Sequence, residues 1–363
     1  MRPALLLQLA LVLATPALQN VGAQAIPFER AVVERVGPGN YRVSWTAPRA
    51  DAIEVFAGTD PDDIGRGRVM GRGPSSGEVV LSGLPKASRW YFDLVPTRGR
   101  SLVLADRDLG ITSVANFRDV GGYRTSDGRW VRMGVLYRSG EISQLSDGDL
   151  ATLTGNHIRL VCDLRTDDER SRSPDRLPAG TSSLVANVLA GNEVYDHLRA
   201  TYTDSAEANK LLAGGGARQL MIDLYRSFVS NPGARRAYHD VFARLADPAS
   251  LPSIFHCTGG KDRSGWAAAV FLTMLGVPRH TVIEDFLLSN DYLRERNAGR
   301  RARLVAGVDP KLFEPIITLD QSYVEAAFDE VKARYGSFDR YLRDGLELDE
   351  STIAGLKAAF LTR

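Results

Sequence analysis

Ile254-Phe255-His256-Cys257-Thr258-Gly259-Gly260-Lys261-Asp262-Arg263-Ser264-Gly265 joins an apolar, strand-like stretch to a helical pattern over 266–275 through a glycine-rich loop. Five residues separate Cys257 from Arg263, and the loop between them ends at a helix N-terminus. That arrangement suits a dianion. Successive backbone N–H groups converge, the helix end adds partial positive charge, and an arginine fork grips two oxygens. The same field suits a thiolate, the nucleophilic form of cysteine. A loop at the C-terminal edge of a strand, opening a helix, is where α/β folds place their ligands.

Each residue of the loop has a role in such a cradle. Cys257 is the candidate nucleophile and Arg263 the candidate clamp. Thr258, Gly259, Gly260, Lys261 and Ser264 are the candidate phosphate-binding positions. The two glycines let the backbone turn tightly against an oxyanion. The Ser264 hydroxyl is placed to donate to the thiolate, and His256 to hold the loop through its ring nitrogens. The plainer alternative is a cysteine buried for packing alone. The full combination of strand, His-Cys, paired glycines, Lys-Asp-Arg-Ser and helix favours chemistry.

Two further segments accompany the loop. Ala115-Asn116-Phe117-Arg118-Asp119-Val120-Gly121-Gly122-Tyr123 lies upstream, followed by Leu160-Val161-Cys162-Asp163-Leu164-Arg165. Together with the His256–Gly265 loop, these resemble the cysteine-dependent tyrosine and dual-specificity phosphatase family of bacteria. That family includes secreted enzymes acting on phosphotyrosine, phosphoserine and phosphoinositides. The resemblance spans roughly residue 112 to the C-terminus, and it implies a mostly parallel sheet flanked by helices. It also implies hydrolysis of phosphate monoesters through a phosphocysteine, with no cofactor and no metal. Departure of the leaving group needs an acid. No Trp-Pro-Asp segment is present to supply one. Asp262, inside the loop, is the first candidate, since the family's matching aspartate is held to be catalytic. Asp163, at a strand end, is the second, and Asp175, in Ser173-Pro174-Asp175, the third. An ion pair with Arg263 or Lys261 is the alternative role for Asp262, and a pairing with Arg165 that for Asp163. Asn116, Arg118 and Asp119 read as structural ties near the site. The resemblance also implies a helical lid over residues 191–217, hinged at Gly214-Gly215-Gly216. A flexible surface insertion is the competing reading.

The rest of the chain divides into three. Residues 1–25 carry one arginine, an apolar run over 4–13 and the small-x-small site Ala23-Gln24-Ala25, the pattern of a secretory signal peptide. The apolar run is too short to span a bilayer, so an exported, periplasmic or secreted protein is expected. Residues 26–106 alternate in short strands broken by Gly37-Pro38-Gly39-Asn40, Asp60-Pro61-Asp62-Asp63 and Gly73-Pro74. They resemble a fibronectin type III or immunoglobulin-like sandwich, with a partner the sequence leaves open. Residues 112–363 alternate strands and helices. A hairpin is expected over 123–139, a helix over 146–154 and strands over 159–164 and 183–189. Further helices are expected over 211–229, 234–245, 277–289, 291–305, 319–335 and 350–361.

Charge and cysteine content narrow the function. Lys and Arg number 45 against 44 for Asp and Glu, which gives no bulk attraction to nucleic acid. Cys162 and Cys257 are too few for a disulfide-built scaffold. A reversible bridge between them is one expectation, and a buried core thiol at Cys162 the plainer one. Lys261 suits a substrate more highly charged than a lone phosphotyrosine. Arg294, Arg296, Arg300, Arg301 and Arg303 form either a patch for an anionic membrane face or a solvated helix face. Protein phosphotyrosine is the expected substrate and an inositol phospholipid the alternative. The non-enzymatic reading is a phosphate-sensing or adhesion module working through the β domain.

Overall fold

The computed structural model describes residues 25–201, 205–301 and 309–363, with the side chains of Ala200 and Arg300 outside that description. The expected export signal up to residue 24, residues 202–204 of the expected lid and Arg303 lie outside the described residues.

The N-terminal strands are β1 (Arg30–Gly37), β2 (Asn40–Thr46), β3 (Ala52–Gly58), β4 (Gly71–Pro74), β5 (Ser76–Leu81), β6 (Tyr91–Pro96) and β7 (Leu102–Ala105). They form a three-stranded sheet, β1-β2-β5, and a four-stranded sheet, β4-β3-β6-β7, antiparallel throughout. Alternation decides which side chains turn inward. Tyr41, Val43 and Trp45 of β2 are buried in one core with Ile53 and Val55 of β3 and Phe92 and Leu94 of β6. The strands expected around Tyr41, Ala52, Glu78 and Trp90 are present. β1, β4 and β7 are additions. β4 is Gly-Arg-Gly-Pro, which has no apolar alternation to betray it.

A second sheet has the order β11-β10-β12-β9-β8, from β8 (Arg118–Asp119), β9 (Leu136–Ser139), β10 (Leu160–Asp163), β11 (Ser182–Val185) and β12 (Ser253–His256). β9, β12, β10 and β11 are parallel neighbours, and β8 pairs antiparallel with β9. Strand β12 is central and apolar on both sides, as a doubly covered parallel strand must be. Phe255 joins a large core with Cys162, Leu160 and Leu136, whereas Ile254 joins a smaller one with Val161 and Tyr137. The helices are α1 (Asp147–Gly155), α2 (Asp167–Arg172), α3 (Glu193–Ala200), α4 (Ser205–Leu212), α5 (Gly216–Ser230), α6 (Pro232–Leu245) and α7 (Arg263–Met274). After them come α8 (Arg279–Leu287), α9 (Ser289–Tyr292), α10 (Arg294–Arg301), α11 (Pro310–Ile317), α12 (Gln321–Tyr335) and α13 (Glu350–Phe360). Leu153 of α1 covers the smaller core, while α5, α6 and α7 are the largest helical contributors to the larger one.

Three expectations change. The hairpin over 123–139 closes only at its tip, where Arg124 bridges Trp130 around Asp127-Gly128. Leu136 and Tyr137 then leave it for the parallel sheet, where each enters a different core. The helix over 291–305 is broken at Leu293, between α9 and α10. Segment 191–217 is no loose insertion where it is described, because Leu198, Ala208 and Leu212 enter the large core.

The two cysteines are both free and buried. Cys162 stands opposite Phe255 in the β10–β12 ladder, two positions short of Cys257. Strand geometry then separates the two Cα atoms by about 8 Å, beyond the reach of a disulfide. Burial pushes the Cys162 thiol up to about 12, the behaviour of a core residue. The core-thiol expectation is therefore the one that fits this backbone.

Candidate active site

Strand β12 delivers Cys257 to the floor of a cavity of about 610 Å³, and the loop that follows climbs into α7 at Arg263. Cys257, Thr258, Gly259, Lys261, Asp262 and Arg263 all line this cavity. Gly260 is the glycine that the loop requires. Its φ is +63°, and a Cβ there would lie 2.4 Å from the carbonyl carbon of Ser139. A Cβ on Gly259 would meet only ordinary contacts, so its place in the loop is not forced by space.

Arg263 is held from one side by Glu169 of α2. Its Nη1 donates to Oε2 at 2.7 Å and its Nη2 to Oε1 at 2.8 Å, a parallel pair of charged hydrogen bonds. Nη2 also donates to Thr258 Oγ1 at 3.3 Å, and Thr258 Oγ1 donates to Glu169. Glu169 is in turn fixed by its own helix. It is the third residue of α2, and it forms a capping box with Thr166. Burial works against its charge, but the hydrogen bonds and charge of Arg263 outweigh that and hold the carboxyl well below the usual range.

The underside of the loop is tied to the sheet. Asn116 Nδ2 donates to the Gly260 carbonyl at 2.8 Å, and Arg138 Nη2 donates to the same oxygen at 2.9 Å. Drawing that carbonyl downward leaves the loop amides free to face the cavity. Arg118 donates to Asn116 Oδ1 and to the Asp285 carbonyl. Asp285 Oδ2 accepts from Arg138 Nη1 at 2.9 Å. Burial opposes the Asp285 charge, yet Arg118, Arg138 and Arg107 around it keep its carboxyl at about 2. Burial and the like charge of Arg118 pull Arg138 down to about 10.

Behind the loop, His256 Nε2 donates to Asp175 Oδ2 at 3.0 Å. Asp163 accepts from Arg165 Nε at 2.9 Å and from Nη2 at 2.8 Å, and Asp175 accepts from the same Nη2 at 2.7 Å. The oxygens of Asp163 and Asp175 and a nitrogen of His256 lie within 4.8 Å of one another, close enough for a metal. The Arg165 guanidinium already supplies the positive charge there. Neither Asp163 nor Asp175, the second and third candidate acids, lines the cavity. Burial works against the Asp163 charge, but the Arg165 hydrogen bonds hold the carboxyl below its usual range, the reverse of what a proton donor needs.

Asp262 does line the cavity. It accepts from the Tyr225 hydroxyl at 2.9 Å and lies 3.6 Å from Lys261 Nζ. Burial first, then Asp262, pushes Tyr225 well above its ordinary value, so it stays a donor. Lys261 is buried and donates from Nζ to the Ile316 carbonyl at the end of α11, with the Thr318 carbonyl 3.5 Å away. Its reach is thus toward a helix C-terminus as well as along the loop, which a purely substrate-directed cation did not anticipate. Ser264 Oγ is buried with no hydrogen-bond partner among the described residues, so it is not bonded to Cys257 here.

Several site residues escaped the sequence reading. Arg296 donates to the Thr258 carbonyl at 2.9 Å and lines the cavity, although it sits in the arginine run of α10. Arg294 pairs with Asp291 and Arg301 with Glu314, so part of the charge of this run is already balanced within the chain. Glu169 was signalled only by the Thr-x-x-Glu spacing of its cap, and Arg138 only by a charge inside an apolar strand. Above the loop the cavity wall is apolar, built from Leu189, Leu198, Met221, Leu224, Phe228 and Ile316, with Tyr195 of α3 beside them.

Comparison with known proteins bears on this geometry. A sequence model of the tyrosine phosphatase family matches residues 109–362. A protein of Cupriavidus necator, named as a candidate tyrosine-protein phosphatase, is 33% identical over 249 residues, covering 68% of this chain and 87% of that one. The triple specificity protein phosphatase PtpB of Mycobacterium tuberculosis is 31% identical over 273 residues, covering 68% of this chain and 96% of its own. A tyrosine-protein phosphatase of Nostoc commune is 28% identical over 178 residues, covering 48% of this chain and 55% of its own.

Proposed function

This chain belongs to the tyrosine phosphatase family, and on that premise we propose that it removes phosphate from protein phosphotyrosine through a phosphocysteine on Cys257. Cys257 Sγ attacks phosphorus in line, and the phosphorus–oxygen bond to the tyrosine breaks. Arg263 and the loop amides hold the three equatorial oxygens as charge builds on them. Asp262 gives its proton to the departing phenolate, then takes one from the water that releases phosphate from sulfur. The observation that carries this reading is the Glu169-clamped Arg263 beside Cys257, on the floor of one cavity. The apolar wall over the loop favours an aryl ester rather than a small alkyl one.

A second reading, an inositol phospholipid, is favoured by Arg296, a cation on the same cavity wall. Phosphate release from phosphotyrosine peptides, phosphoserine peptides and inositol phospholipids, measured for wild type and Cys257→Ser, separates the two. Faster turnover of the lipid replaces the first reading with the second. Undiminished turnover by Cys257→Ser discards both.

The surrounding organisation is part of the proposal. Residues 191–217 act as a lid, a reading supported by Tyr195 and Leu198 on the cavity wall. Residues 26–106 form a fibronectin type III-like domain, supported by its three-plus-four division of strands. The catalytic domain covers 112–363. Residues 1–25 direct export, so the N-terminus of the protein recovered outside the cytoplasm should begin at Ile26.

A further inference from the structure

The N-terminal strands reach the catalytic loop through one buried ion pair. Arg89, just before β6, is 4% exposed, and its Nη1 lies 2.7 Å from Asp119 Oδ2 of β8, whose side chain is fully buried. The same nitrogen donates to the Tyr137 hydroxyl at 2.9 Å, and Nη2 donates to the Asp106 carbonyl at 2.9 Å. Asp119 and Tyr137 are register partners in the β8–β9 ladder, and the adjoining pair is Arg118 and Arg138. Those two arginines are the ones that fix the Gly260 carbonyl, Arg138 directly and Arg118 through Asn116. Arg89 is therefore one ladder step from the groups that set the loop.

The surroundings of the pair leave little play. Asp119 also accepts from the Gly121 and Gly134 amides, each at 2.7 Å. A Cβ at Gly134 would lie 2.6 Å from the Tyr91 hydroxyl oxygen, so the Tyr91 ring is seated directly against that stretch of backbone. Trp130 and Met133, between β8 and β9, are buried in the core of the N-terminal strands with Tyr91 and Leu104. A docking module carried on a linker shares neither a core nor a buried charge with its neighbour.

We propose that Arg89 is a positioning residue for the Cys257–Arg263 loop, which makes the N-terminal β unit part of the catalytic apparatus. Without Arg89 the Asp119 carboxylate is buried beside a tyrosine and loses its only cation within 4 Å among the described residues. The ladder then shifts to relieve it, and Arg138, Asn116 and the Gly260 carbonyl shift with it.

This inference rests on the Cys257 loop being the reaction centre, and the experiment keeps the two apart. In the full-length protein, Arg89→Met and Arg89→Lys are compared with Arg132→Ala. Arg132 bonds Asp62 across the same interface but at its exposed edge. The melting temperature of each variant is measured first, and kcat and KM for p-nitrophenyl phosphate and the inhibition constant for vanadate are then measured well below it. Arg132→Ala is expected to lower the melting temperature and leave kcat and the vanadate constant unchanged. Arg89→Met is expected to lower kcat about tenfold or more and to weaken vanadate to a similar degree, as a small displacement of a reacting group does. Arg89→Lys should restore part of both. If Arg89→Met does not fold, Arg89→Lys decides by the same two constants. Wild-type kcat and vanadate affinity in the folded Arg89 variants, whatever their melting temperature, overturn the proposal. That outcome leaves the loop itself untouched, because only turnover by Cys257→Ser removes the loop from the reaction.

Discussion

Glu169 and Arg263 meet through two parallel hydrogen bonds of 2.7 and 2.8 Å, although they come from different helices and lie 94 residues apart. The pairing sets the plane of the guanidinium before any phosphate arrives, so less side-chain freedom is lost on binding. It also lets a helix cap and a phosphate clamp share one carboxylate.

Replacing that carboxylate should therefore separate binding from folding. Glu169→Gln keeps a hydrogen-bonding side chain but removes the charge, and we expect kcat/KM to fall on the order of tenfold to a hundredfold. The pH dependence of stability gives an independent check. The folded-state pKa of Glu169 lies below its ordinary 4.5, so its contribution is complete above that value and drains away as the pH falls below it. The stability difference between wild type and Glu169→Gln should accordingly be constant near neutrality and shrink in acid. A difference that grows in acid contradicts the assignment.

Asp262 should matter in proportion to the leaving group. With p-nitrophenyl phosphate the departing phenolate needs little protonation, and Asp262→Asn should lose only a small part of kcat. With an alkyl phosphate the loss should approach the roughly 10²–10⁴-fold attributed to a positioned acid. Tyr225→Phe removes the 2.9 Å hydrogen bond to Asp262 and should reproduce part of that pattern. Equal losses on both substrates assign Asp262 to loop structure instead.

These cases show why some of the site was readable from sequence and some was not. Cys257, Asp262 and Arg263 lie in one short loop whose geometry follows from local spacing, so strand, turn and helix could be anticipated together. Glu169 reaches Arg263 across 94 positions and Arg138 reaches Gly260 across 122, while Asp285 holds Arg138 across 147, through contacts that exist only once the sheet is ordered. Asp163 is placed by local contacts that its strand position does not reveal. Its strand does end beside β12, but its carboxylate is bonded to Arg165, two residues on, and does not line the cavity. The alternation in β2 was legible because one face is apolar, whereas β4 has only glycine, arginine and proline to show.

The charge cluster under the loop should be a major source of stability. Asp285→Ala leaves Arg118 and Arg138 buried with their shared carboxylate removed, and breaking such a pair costs about 3–5 kcal/mol. Because Asp285 is held at about 2 against an ordinary 3.8, its contribution is full above pH 3.8 and is lost as the pH falls toward 2. Denaturant titrations of wild type and Asp285→Ala at neutral pH and in acid measure both effects. A neutral-pH difference under about 1 kcal/mol would falsify the assigned role.

The two cysteines should separate cleanly by reactivity. Cys257 lines the cavity, so a small alkylating reagent reaches its sulfur from the substrate side. Cys162 is fully buried between β11 and β12, and burial pushes its thiol up to about 12, so it offers almost no thiolate near neutral pH. Iodoacetamide should therefore add one group per native chain, at Cys257, with activity lost at the same rate and inorganic phosphate slowing both. In denaturant the second group should add at Cys162. Peptide mass spectrometry gives the positions. Labelling of native Cys162 at a rate comparable to Cys257 would mean that the β10 strand opens to solvent, contrary to its place inside the sheet.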